Sequence, residues 1–192
     1  MSRHACTFLT ALALSASAFA QDPLPLLADD GQPYDFFGQR VAAHDGVLVV
    51  ASALGDVGDL FNAGRLYVYE TEGAGGWQQT ANLTAPEPGQ NDFLGQSLDT
   101  DGTRIVAGLR SGTEGYHESG AVDVFVSQDG AWVHEQRLRP SSPQENGRWG
   151  LDVAIDDDVI VVGAPHHDVP FENEGDAWVY ELNDDGVWRL SQ

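Results

Sequence analysis

The sequence predicts an all-β chain, a partial β-propeller of about three four-stranded antiparallel blades. Three observations carry this. Four landmarks recur along the chain with one shared period, each period holds four short strand-like runs, and no window beyond the N-terminus shows helical 3.6-residue spacing.

The first landmark is a turn ending in glycine, Asp35-Phe36-Phe37-Gly38-Gln39, then Asp92-Phe93-Leu94-Gly95-Gln96, then Gly147-Arg148-Trp149-Gly150-Leu151. Its glycines lie 57 and 55 residues apart. A glycine opening an apolar-aromatic run recurs at 56 and 55, in Gly64-Arg65-Leu66-Tyr67-Val68-Tyr69, Gly120-Ala121-Val122-Asp123-Val124-Phe125 and Gly175-Asp176-Ala177-Trp178-Val179-Tyr180. Trp77, Trp132 and Trp188 keep the same step, as do Leu27, Leu83 and Leu138. The blades are expected at about 35–86, 92–140 and 146–192.

Within a unit the first strand follows the turn, as in Gly38 to Ala43. The second is a β-branched run: Gly46-Val47-Leu48-Val49-Val50-Ala51, Arg104-Ile105-Val106-Ala107 and Val159-Ile160-Val161-Val162. Apolar runs without alternation fit strands covered on both faces, as stacked blades require. The third strand starts at Gly64, Gly120 or Gly175, and the fourth near the tryptophan. Asp129-Gly130 and Asp185-Gly186, just before two of those tryptophans, are dipeptides that favour two-residue hairpin turns. Leu24 to Ala28 align with the end of a fourth strand, so 22–28 is expected as a stray fourth-type strand able to clasp the last blade.

Residues 1–20 read as a signal peptide: Arg3, the apolar stretch Ala5 to Leu14, and the small-x-small site Ala18-Phe19-Ala20. The mature chain, 21–192, is therefore expected to be secreted, whether extracellular, periplasmic or at the cell surface. Its one cysteine, Cys6, falls inside the signal, which leaves stability to packing and sheet hydrogen bonds. No run is long enough to cross a bilayer, so no membrane insertion is expected. Thirty acids face nine basic residues, for a net charge of −21, and every basic residue is arginine. Such a surface repels nucleic acid, whose binding needs cations to displace counterions.

The aromatic-glycine start, the Gly163-Ala164-Pro165 triplet after a Val/Ile strand, and the later Gly-x-x-x-Val-Tyr run resemble FG-GAP repeats, the blades of integrin-α-type propellers. The resemblance covers about 27–192. The corresponding triplets in the first two units, Ala51-Ser52-Ala53 and Gly108-Leu109-Arg110, depart from the literal form. Many such repeats carry a calcium loop between the first two strands. Here that link is only His44-Asp45-Gly46, Thr100-Asp101-Gly102 or Asp156-Asp157-Asp158. These turns offer too few oxygens for calcium, so the chain is similar to the variant without the loop.

Catalytic signals are weak. There is no Gly-x-Ser-x-Gly elbow, no cysteine in the mature chain and no phosphate-cradling glycine loop. No catalytic or cofactor-binding residue is assigned, no cofactor is expected, and the chain is not expected to be an enzyme. His166, His167 and Asp168, near Glu172 and Glu174, are the candidate metal ligands. Neighbours on an extended segment point opposite ways, however, so no metal is assigned. Ser127 to Trp132 reads as a hairpin, and the recurring tryptophans as packing. The long links Leu54–Ala63, Arg110–Gly120 and Pro165–Gly175 form one face suited to an extracellular protein or glycan. Two other readings stay open. One is a hydrolase or lyase acting on extracellular substrates; the other is a structural segment of a larger surface protein. Three blades leave exposed sheet faces, which implies self-association or continuation in a longer chain.

Overall fold

A computed structural model describes residues 25–71, 76–110, 116–169 and 171–191. The signal-peptide reading of 1–20 and residues 22–24 of the expected stray strand lie outside them. The described residues hold three four-stranded antiparallel sheets and no helix. The first sheet runs β1 (Arg40–His44), β2 (Val47–Ser52), β3 (Arg65–Thr71), β4 (Trp77–Leu83). The second runs β5 (Ser97–Thr100), β6 (Arg104–Leu109), β7 (Ala121–Gln128), β8 (Ala131–Leu138). The third runs β9 (Asp152–Asp156), β10 (Val159–Ala164), β11 (Asp176–Leu182), β12 (Trp188–Leu190). Each sheet is a meander in chain order and so occupies one repeat period.

Alternation along the second strands explains the stacking. Val47, Val49 and Ala51 point one way from β2 and pack against Ile105, Ala107 and Leu109 of β6, closing the first inter-blade core. From the opposite face of β6, Val106 joins Ile160, Val162 and Ala164 of β10 in the second core. A strand between two such cores needs apolar residues at every position, hence the unbroken Val/Ile runs. Tight links between first and second strands keep each hairpin in register. Asp45 and Gly46 both take positive φ, 41° and 81°, as a twisted two-residue turn requires. Asp101 spends its carboxylate on its own turn, accepting from the Thr103 and Arg104 amides.

A second element locks the blades together. The turns that open the second and third blades lay their amides on the carbonyls that end the preceding blade's long loop. Asn91, Phe93 and Leu94 donate to Phe61, Asn62 and Ala63, at 2.9, 3.0 and 3.0 Å. Asn146, Arg148 and Trp149 donate to His117, Glu118 and Ser119 at 2.9, 3.1 and 3.0 Å. Positive φ at Asn91, Phe93, Asn146 and Arg148 aims the alternate amides outward. The approach is so close that a Cβ on Gly120 would lie 2.0 Å from the Trp149 carbonyl oxygen, which is why a glycine opens the third strand. Leu94 and Trp149 end up fully buried in these seams.

Two local expectations need correction. Residues 25–28 are not in a strand and do not clasp the third blade, whose fourth position is held by β12. Leu26 and Ala28 instead cover Val50, Tyr67 and Tyr69 on the outer face of the first blade. There the Tyr69 hydroxyl donates to the Leu27 carbonyl at 2.9 Å, fixing the segment as an irregular strap. Asp185-Gly186 likewise does not make a two-residue hairpin. Asn183 accepts the Asp185 and Val187 amides with its side chain and so draws out a longer loop. Asp129-Gly130 does make the tight turn, with φ of 53° and 79°.

Candidate interaction face

The long links after β2, β6 and β10 emerge at the end of the sheets where the inter-blade seams lie. The links after β2 and β6 each bound a cleft with the turn that opens their own blade, and these two clefts are repeat counterparts. The first, about 330 Å3, is lined by Pro33, Tyr34, Asp35, Leu54, Asp56, Phe61 and Asn62. The second, about 340 Å3, is lined by Gln90, Asn91, Asp92, Phe93, Arg110, His117 and Glu118. The backbone repeats, while the side chains do not.

The first cleft is aromatic. Tyr34 and Phe61 are both exposed beside it, and Asp35 turns its carboxylate inward to accept the Gln32 amide at 2.8 Å. The second is charged. The Arg110 guanidinium sits 4.8 Å over the Phe93 ring and bonds Glu118 at 3.3 Å, while Arg148 approaches the other Glu118 oxygen at 3.5 Å. Arg110 Nε is buried with no partner among the described residues. Below them, burial raises the Asp92 carboxyl above its ordinary range, against the Gly89 amide that favours its charged form.

In the third blade the candidate ligands do not converge. His167 is buried, with Nδ1 2.8 Å from Asp176 and Nε2 2.9 Å from the Ser142 carbonyl, so both ring nitrogens serve the fold. His166 turns to Asn173. The Asp168 carboxylate accepts the Asn173 amide. Among the described residues no group of three or more His, Cys, Asp or Glu side chains is placed to hold a metal ion.

One polar cluster was not anticipated. Asp123 is fully buried in β7, bound by Arg137 through two 2.7 Å hydrogen bonds and 3.1 Å from His134 Nε2. Burial opposes its charge, yet the bonds to Arg137 and His134 prevail and hold its carboxyl below the usual range. A shallow groove of about 170 Å3 lies beside it, lined by Pro86, Glu87, His134, Arg137 and Arg139. His134 and Arg137 of β8 tie Asp123 of β7 across the strands. The sequence signal was a carboxylate inside the apolar run Ala121-Val122-Asp123-Val124, which marks a buried charge in need of a partner.

The comparison with protein families decides the kinship. A model described as FG-GAP repeat matches residues 25–69, 77–125 and 132–180. The chain belongs to the FG-GAP repeat family. No curated protein sequence matches it. The second and third FG-GAP matches begin in an outer strand and end within the third strand of the following blade, while the first begins in the strap and ends within β3. The repeat unit of the sequence thus straddles an inter-blade seam. The residues of each cleft fall within one FG-GAP match, while the amides and carbonyls of each seam come from successive matches. Among the described residues no helix is long and apolar enough to cross a membrane.

Proposed function

We propose that this chain is a secreted, noncatalytic FG-GAP module that captures an extracellular protein or glycan through the loop face of its blades. The observation that carries this is the pair of counterpart clefts, aromatic in the first blade and charged in the second, on one repeated backbone. Repeat folds vary such loops for recognition while the sheets stay constant. The N-terminal Arg3, apolar stretch and Ala18-Phe19-Ala20 support export, and the acidic surface argues against nucleic acid as partner.

The aromatic cleft is the anchor of this reading, because exposed aromatics supply contact area at small entropic cost. Arrays of extracellular glycans and proteins probed with the processed chain should identify a ligand. Replacing Tyr34 and Phe61 with serine should then weaken its capture by about 30-fold, the scale of a 2 kcal/mol hot spot. The melting temperature should be unchanged. Undiminished capture by this variant would remove the face from consideration.

A further inference from the structure

The two ends of the blade stack are complementary to each other. We propose that the chain assembles head to tail with a second copy, the third blade of one chain receiving the opening turn of the next. The contact would continue the interface that already joins the blades inside the chain.

The backbone pattern comes first. In both internal seams three amides of an opening turn meet three carbonyls of the preceding loop. At the head of the chain Tyr34, Phe36 and Phe37 hold the counterpart positions, and Tyr34 and Phe36 share the positive φ, 75° and 55°. Among the described residues their amides donate to nothing. At the tail the counterpart carbonyls belong to Glu172, Asn173 and Glu174, and none is matched by a donor among the described residues. One end offers donors and the other acceptors, at the same repeat positions.

Glycines supply an independent sign. Gly108 lies within β6, where a Cβ would stand 2.1 Å from the Gly150 carbonyl of the next blade. Its counterpart Gly163 lies within β10, where a Cβ would meet nothing nearer than 3.6 Å. A glycine inside a strand weakens it and marks a close backbone approach, yet among the described residues Gly163 meets only its own blade, with the Gly150 amide on its carbonyl and no turn pressed against its Cα. The object that would approach is a turn like the one ending in Gly150. The chain carries one unused. Gly95 and Gly150 press on the preceding blade, whereas Gly38, with nearly the same φ, meets nothing within 4 Å.

Side chains agree. Val161 is 38 % exposed, while its counterparts Val49 and Val106 are fully buried. Leu27 is 70 % exposed against 8 % and 2 % for Leu83 and Leu138. Those two leucines lie across from Leu66 and Val122 on the third strands, whereas among the described residues β12 pairs with Tyr180 to Leu182, short of the counterpart Ala177. Leu27 is already placed for that gap. Tyr69 holds its carbonyl much as Tyr180 holds the carbonyl of Arg139, just past the second blade's outer strand. Finally, Trp132 donates from Nε1 to Glu70 of the preceding blade at 2.9 Å. The counterparts are exposed Trp77 at the head and exposed Glu181 at the tail.

A second copy is the occupant because this chain carries both halves of the joint. A contact between two different surfaces either closes into a ring or runs on as a filament. Two copies of the three described blades make six, within the range of closed propellers, so a ring closed by these two surfaces alone is a dimer. Each copy carries a net charge of −21, so long-range repulsion opposes approach and salt should strengthen association. A basic partner on the same face would show the opposite dependence.

Sedimentation equilibrium of the processed chain should give the mass of two copies. The dissociation constant should fall at least ~10-fold between low salt and ~0.5 M salt as screening sets in. Gly163→Trp or Val161→Glu blocks the tail, and Leu27→Glu or Phe36→Glu blocks the head. All four sites are at the open ends, so melting of the monomer should be preserved, and a variant that misfolds is replaced by the other at its end. Each variant alone should be monomeric. A tail variant mixed with a head variant should recover a two-chain species through one intact joint. A wild type that stays monomeric at ~100 μM and ~0.5 M salt would overturn the proposal. So would a dimer that survives both kinds of block, or a mixture that stays monomeric.

Discussion

Gly120→Ala is expected to lower unfolding free energy by about 3–5 kcal/mol, whereas Gly130→Ala should cost only about 1–2 kcal/mol. Both glycines have positive φ, 91° and 79°, so both substitutions carry the strain of a Cβ in the left-handed region. They differ in surroundings. A Cβ at Gly120 would stand 2.0 Å from the Trp149 carbonyl oxygen and 2.6 Å from its nitrogen, and at Gly130 it would find open space. Backbone cannot swing aside as a side chain can. The turn carrying Trp149 would have to lift, loosening three seam hydrogen bonds and the indole packed at the centre of the second core. Denaturant melts of the two variants measure the difference, and equal losses would mean that the blades are not pressed together at this seam.

Asp123→Asn is expected to cost about 3–5 kcal/mol near neutral pH, because it strips a partly buried arginine of its counter-charge. Arg137 sits beneath the first blade's trailing loop and its pKa is raised chiefly by the Asp123 hydrogen bond, so the guanidinium stays charged and would be left uncompensated. The pH dependence has a definite sign. The folded-state pKa of Asp123 is depressed, so its contribution is complete above the unfolded carboxylate value of about 3.9 and is lost as pH falls through the folded value. The wild type should therefore lose stability below about pH 4 more steeply than Asp123→Asn. Replacing the pair together, Asp123→Leu with Arg137→Met, should recover most of the loss, since a buried ion pair and an apolar pair of similar size are often equivalent. Equal stability of wild type and Asp123→Asn at pH 7 would show that the ion pair carries no net weight.

The strands were legible because burial on both faces writes itself into composition. Val47 to Ala51 and Ile105 to Ala107 admit no polar residue, and a period of four such strands left a blade as the simplest solution. The strap was harder. Leu24 to Ala28 match an outer strand by position, but a strand needs an edge to pair with, and the first blade's outermost position is filled by its own β4. Asp185-Gly186 matched a turn by dipeptide, yet Asn183 competes for the same amides with its side chain.

The clefts and the Asp123 tie could not be read from spacing. Asp123 faces Arg137 only because the ladder between β7 and β8 shifts at a bulge between Val124 and Phe125. Upstream of the shift the partner numbers sum differently from those downstream, and no sequence pattern marks the place. Each cleft is likewise made by two segments some twenty residues apart that the blade folds together, as with Asp35 and Leu54 or Phe93 and Arg110. His167 illustrates the reverse case. Its neighbours suggested a metal, and only the three-dimensional placement of Ser142 and Asp176 shows what occupies its two nitrogens.

Stacking of separate four-stranded blades through amide-to-loop seams underlies every result above, and amide hydrogen exchange tests it residue by residue. Leu94 and Trp149 lie outside the four-stranded ladders, yet their amides donate to Ala63 and Ser119 beneath a neighbouring blade. They should exchange as slowly as Val106 at the centre of the second blade, in the regime of global opening. Exchange of both at the rate of an open surface turn, with Val106 still protected, would contradict the stacked-blade arrangement.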